Sequence, residues 1–278
     1  MLTVRLFGDD LSVYQDDREL ALEPGSRLIL AFMLLHRDRQ FTRQALLDVG
    51  AAARGFGLAS IPDVNLQLRK LRAALEPEPA TRGAYIAVSL GGEVGINPHA
   101  TCWMDTVAFE LCAEALLAKP ADVLSLDDIE AAEATTLLYA ADLLGAYDTD
   151  WAVAERDRLR QLCLDVLTHV LVYACRHDLR HMGLQFAARI VAMDPCREDI
   201  HFEIMRMLVQ TGQPQLAIQQ YEDCRAALAA RLGVEPMVEM QALHEVLARG
   251  EPPAPKTLES VFLRSRGRIA VPRPAVTA

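Results

Sequence analysis

The feature that most constrains this chain is a near-repeat in its second half. Gly183, Ala187 and Ile190, followed by Asp194 and Pro195, are matched 34 residues later by Ala217, Tyr221 and Cys224. Small and aromatic residues at helical spacing within a fixed period describe helical hairpins, and one such hairpin cannot bury its apolar face alone. The hairpins must therefore stack, and about two are readable. The pattern around them, from about Asp105 to Arg249, is helical almost throughout, with Pro and Gly sparse.

The first hundred residues follow different periods. In LTVRLFG, Leu2, Val4 and Leu6 alternate with Thr3 and Arg5, as in a half-buried strand. Two further short strands are predicted around Val13 and Leu20–Leu22, with Asp16-Asp17 as the turn and Pro24-Gly25 as the stop. The period then becomes helical. Ser26 is a candidate cap for a helix through Leu28, Phe32 and Leu35, and Thr42 for a second through Ala45, Leu46 and Val49. A third helix starts at the capping sequence Ser60-Ile-Pro-Asp63 and is halted by Pro77 and Pro79. Its Val64, Leu68, Leu71 and Leu75 form one apolar stripe, while Asn65, Arg69 and Arg72 lie on another face with Lys70 beside them. AYIAVSLGGEVGINP then reads as a hairpin turning at Gly91-Gly92.

Charge narrows the function classes. The chain of 278 residues carries a formal −10, unevenly spread: residues 1–105 are near neutral at −2, residues 106–250 carry −11, and residues 251–278 carry +3. The middle segment offers no general polyanion surface, so any nucleic-acid contact is expected in the first hundred residues or the tail. No apolar run reaches membrane-spanning length, the start lacks a secretory signal pattern, and six cysteines are scattered without a CxxC pair. These features lead to the expectation of a cytoplasmic protein with reduced thiols.

The stretches MDTVAFELCAEALL, LLGAYDTDWAVAERDRLR and AMDPCREDIHFEIMRMLVQTGQPQLAIQQYEDCRAALAARLGVEP resemble the bacterial transcriptional activator domain, with DP-x-R-E, the Gly-x-x-x-x-Ala-x-x-x-Tyr register and LGVEP falling together. The run VNLQLRKLRAAL resembles the recognition helix of OmpR/PhoB-type proteins. The combination is similar to the Streptomyces antibiotic regulatory protein family over roughly residues 1–248. The fold class implied is an α+β winged helix-turn-helix, residues 1–100, followed by an all-α tetratricopeptide-like helical domain, residues 101–250. A Pro- and Arg-rich mobile tail, residues 251–278, containing the short motif VFLRSRGR, completes the expected organisation.

The resemblance implies a sequence-specific DNA-binding activator of transcription, with promoter DNA and RNA polymerase as partners and side-by-side copies, a homodimer among them, on the DNA. The candidate DNA-binding residues are Asn65, Gln67, Arg69, Lys70 and Arg72 on the third helix, with Arg43 and Gln44 at the start of the second. Asn and Gln can pair bidentately with adenine and Arg with guanine, while helix N-termini and basic groups hold phosphates. Two departures from the family pattern stand out. DVGAAARGFGLAS replaces a Leu-Trp pair and acidic loop, and the hairpin carries no Arg or Lys. They leave an alternative open, a protein-interaction scaffold whose winged helix no longer binds DNA. His177 and His181, four apart near Cys175, fall at an expected inter-helix turn and read as solvated residues rather than a zinc site. Trp151 reads as a core anchor of the helical domain. No catalytic constellation is present, so no enzyme activity, cofactor or metal is expected.

Overall fold

The computed structural model describes residues 1–52 and 56–266. The order of elements begins with β1 (Leu2–Arg5), β2 (Ser12–Gln15) and β3 (Arg18–Glu19), followed by α1 (Pro24–Leu35), α2 (Arg43–Ala52) and α3 (Ile61–Leu75). Next come β4 (Ile86–Val88), β5 (Val94–Ile96) and β6 (Cys102–Met104). The remainder is helical: α4 (Asp105–Leu117), α5 (Leu126–Leu138), α6 (Asp150–Arg176), α7 (Arg180–Met193), α8 (Glu198–Gln210), α9 (Pro214–Arg231), α10 (Val238–Ala248) and α11 (Val261–Arg266). A small N-terminal sheet thus precedes a helix-rich chain.

The expected turn between β2 and β3 forms at Asp16 and Asp17, both with positive φ, 47° and 65°. These short polar side chains tolerate that region as few others do. The expected stop at Pro24-Gly25 is corrected. Pro24 opens α1 instead, because its missing N–H and fixed φ suit a first helical position. Ser26 is consequently inside the helix and buried, and caps nothing.

The contacts divide the chain into two units that do not follow the expected boundary at residue 100. One comprises residues 1–114 and 133–162, the other residues 115–132 and 163 onward. The physical reason lies in the first unit. β6 pairs in parallel with β1, Leu2 opposite Cys102 and Val4 opposite Met104, so the sheet runs β3-β2-β1-β6. Asp105, buried at the head of α4, accepts from the Leu6 and Phe7 backbone N–H groups at 2.9 and 3.0 Å. Residues 142–146 then stitch onto the chain leaving β1: Gly8 N donates to Asp142 O, Leu144 N to Leu6 O and Ala146 N to Asp9 O. Trp151 belongs to this unit and not to the helical repeat. Its ring meets Phe32 of α1 at 5.4 Å, which corrects its expected role.

In the second unit α7, α8, α9 and α10 pack in sequence. Gly183, Ala187, Ile190, Ala217, Tyr221 and Cys224 are all buried, as the near-repeat requires. The first part of the expected tail forms short elements. Residues Pro255–Leu258 form a 3-10 turn against α10, and α11 packs on α8 with Phe262 fully buried. An apolar anchor two residues after a helix-capping Ser260 outweighs the Pro-rich composition. Only residues 267–278 of the expected tail, with the end of VFLRSRGR, lie outside the described residues, as do 53–55 in the loop after α2.

Candidate nucleic-acid interface

α3 is built by its ends and one stripe. Ser60 caps it, its hydroxyl accepting from Asp63 N at 3.4 Å and donating to Asp63 Oδ2 at 2.7 Å, and Pro62 sits in the first turn. Ser60 thereby holds the Asp63 carboxyl below its ordinary range. Val64, Leu68, Leu71 and Leu75 are buried against α1 and α2. Each such side chain contributes about 1.5–3 kcal/mol of apolar transfer. With that stripe fixed, Asn65, Leu66, Arg69, Lys70 and Ala73 face solvent.

The structure sorts the candidate residues. Asn65 and Arg69 are exposed, and Arg72 is half-buried with its Nε enclosed and without a hydrogen-bond partner. Among the described residues neither guanidinium has a carboxylate within ion-pair distance. Lys70 is paired with Glu23 at 2.5 Å, which lowers the Glu23 pKa. Gln67 is the correction. It is buried, its Oε1 accepts from the Ser26 hydroxyl at 2.8 Å and its Nε2 donates to Glu23 at 3.3 Å. Two positions on from Asn65, its side chain lies on the core side of the helix, so it ties α3 to α1. Gln44 is exposed and donates to Asp48 of its own helix, while Arg43 is half-buried at the first position of α2 behind the Thr42 cap.

Two arrangements were not legible in the sequence. Glu76, at the C-terminal end of α3, is buried and accepts from Gly83, Tyr85 and Ile86 N–H at 2.8–3.0 Å. That carboxylate fixes where the chain leaves α3 for the hairpin. The turn it controls carries Arg82, which with Arg69, Arg72 and Glu78 lines a cleft of about 310 Å³. Arg82 is the one basic residue between the helix-stopping Pro77 and the hairpin turn, a signal with no periodicity to flag it. The hairpin lacks basic residues of its own, but Gly92 at its tip, φ +83°, lies beside Arg43. A Cβ there would stand 3.7 Å from the Arg43 guanidinium.

Cys175 is near the end of α6, His177 follows that helix, and His181 is the second residue of α7; both histidines are exposed. Among the described residues no group of three or more His, Cys, Asp or Glu side chains is placed to hold a metal ion, and no helix is long and apolar enough to cross a membrane.

The family model that matches the helical part of the chain places it in a class of bacterial transcription regulators. The chain belongs to the bacterial transcriptional activator domain family, which matches residues 104–247. It is similar to the regulatory protein AfsR of Streptomyces griseus, 25% identical over 236 residues, covering 82% of this chain and 22% of that protein. Its similarity to AfsR of Streptomyces coelicolor is 25% over 244 residues, covering 86% and 23%. The chain thus spans under a quarter of the length of these relatives. Its fold is similar to that of Mycobacterium tuberculosis EmbR, a structure solved with a low-affinity phosphopeptide, with TM-score 0.63 and 18% identity over 96% of this chain and 69% of that one. The resemblance to the Streptomyces antibiotic regulatory proteins is borne out by these matches.

Proposed function

We propose that the chain activates transcription by reading promoter DNA with α3 and contacting RNA polymerase, acting by binding alone in the cytoplasm. In this reading residues of the first unit form a winged helix-turn-helix: α2 and α3 are the helix pair and the β4–β5 hairpin is the wing. The second unit is tetratricopeptide-like and provides contacts to polymerase and to a neighbouring copy on the DNA. The observation that carries the reading is the solvent face of α3, where Asn65 and Arg69 offer base-pairing groups, and neither Arg69 nor the half-buried Arg72 beside it is engaged by a carboxylate. Arg69 and Asn65 suit base edges, and Arg72, Arg82 and Arg43 suit phosphates. Gln67 has no part in it. The position of Arg43 beside the hairpin tip supplies the charge that the hairpin sequence lacks, which weighs against the scaffold alternative.

Fluorescence anisotropy with duplex DNA from the protein's own upstream region tests the reading. The wild type should bind with a salt slope of several units, since each phosphate contact releases counterions. The Arg69→Ala, Arg72→Ala double variant should lose specific binding while remaining folded. Undiminished binding by that variant would remove α3 from the interface, and no binding by the wild type at low salt would favour the scaffold.

A further inference from the structure

The family match ends at residue 247, yet the chain continues through a Pro-rich connection, Glu251–Pro255, and then packs a short helix back onto the repeat. α11 spans only six residues. A helix of that length has no stability of its own, because nucleation costs more than so few hydrogen bonds return. Its order therefore comes from the surface beneath it. Phe262 is fully buried there, and Ser260 both caps α11, accepting from Leu263 N at 3.0 Å, and donates to Glu203 Oε2 at 2.8 Å.

Glu203 gives this contact its specificity. It is fully buried in α8, within the family-matched region. Its Oε1 is already shared: Arg206 Nε donates to it at 2.9 Å and the Cys175 thiol at 3.1 Å. Burial, and then the Glu203 charge, push the Cys175 thiol up, so it stays protonated and donates. The other oxygen, Oε2, accepts from the hydroxyl of Ser260, a residue outside the family domain. A buried carboxylate oxygen left without a donor is costly. The repeat thus carries an acceptor that a docked segment must satisfy, beside a site for an aromatic ring.

We propose that the Glu203-bearing face of α8 is a peptide-recognition site, and that residues 257–264 occupy it as a tethered ligand. The partner it fits is a short, helix-forming peptide with a hydroxyl side chain two residues ahead of a phenylalanine. The hydroxyl caps the peptide helix and donates to Glu203 while the ring fills the apolar site. The tethered segment excludes such a partner until it is displaced.

A labelled peptide of residues 255–266, titrated into full-length wild type and a Phe262→Ala chain, tests this by anisotropy. The variant, its own segment weakened, should bind at least tenfold more tightly than the wild type, and a peptide carrying Phe262→Ala should bind neither. Equal affinity for both chains, or no binding to a variant that still unfolds cooperatively, would overturn the proposal. Hydrogen exchange on the unaltered wild type gives a second reading should the variant fold poorly. Amides of residues 261–264 should exchange at least tenfold faster than those of residues 204–208, because a ligand leaves without unfolding its site. Equal exchange rates would mean that α11 is part of the core. Neither experiment contains DNA, so its outcome is independent of the reading given to α3.

Discussion

Gln67 and Arg69 stand two positions apart on α3 and act on opposite sides of it. Gln67→Ala should leave promoter affinity to follow stability alone, and should cost about 1–3 kcal/mol in chemical denaturation, because the Ser26 hydroxyl loses a buried partner. Arg69→Ala should change stability by no more than about 0.5 kcal/mol, as exposed substitutions do, while weakening promoter binding by about 1–3 kcal/mol. Lys70→Ala should weaken all DNA alike and reduce the salt slope by about one, provided the lysine exchanges Glu23 for a phosphate. The apolar stripe of this helix was legible in the sequence to the residue. The polar face was legible only in part, since glutamine carries no mark of whether its amide will find water or a buried hydroxyl 41 residues away.

Elements were easiest to read where two independent signals agreed. α3 has a cap, a proline in its first turn, a periodic stripe and a proline after its end, and it spans what those imply. The start of α1 was misread because Pro-Gly punctuates both stops and starts, and only the packing of Gly25 and Ser26 against Gln67 selects the latter. In the repeat, α7 and α8 approach closely at Gly183, where an added methyl would stand 2.6 Å from Met207 Sδ. Gly183→Val should therefore cost about 1–3 kcal/mol by overpacking, read as a lowered Tm. α8 also carries a pH dependence. Burial holds the His201 pKa below its ordinary 6.5, with Nε2 near Pro195 O at 3.1 Å and Nδ1 near Gln220 Nε2 at 2.6 Å. Above that ordinary value both states are neutral and nothing is lost. As pH falls through it, the unfolded chain takes up a proton that the folded one refuses, so stability declines until the folded pKa is reached. Tm should drop between pH 7 and 5.5, and drop less in His201→Gln.

At the scale of the whole molecule, the helical character of the second half was legible, but the division into units was not. Hydrophobic periodicity reports which face of an element is buried, not which distant element buries it. Residues 102–104 and LLGAYDTDW read as part of the helical domain, yet β6 pairs with β1 and residues 142–146 hydrogen-bond the chain leaving β1. A fragment ending at residue 100 loses β6, Asp105 and the 142–146 stitch, and should unfold without cooperativity, whereas a fragment ending at residue 162 should show a sigmoidal transition by circular dichroism. The chain changes unit within α4, again within α5 and again within α6. That threading has a consequence for heredity. A single crossover after codon 162 hands over the first unit whole but carries codons 115–132 of the second unit with it, so no one breakpoint separates the two coding sequences. Under the reading proposed for α3, an engineer wishing to redirect the protein does better to graft codons 65 and 69 than to splice cassettes, since every such splice leaves the repeat with a foreign segment at 115–132.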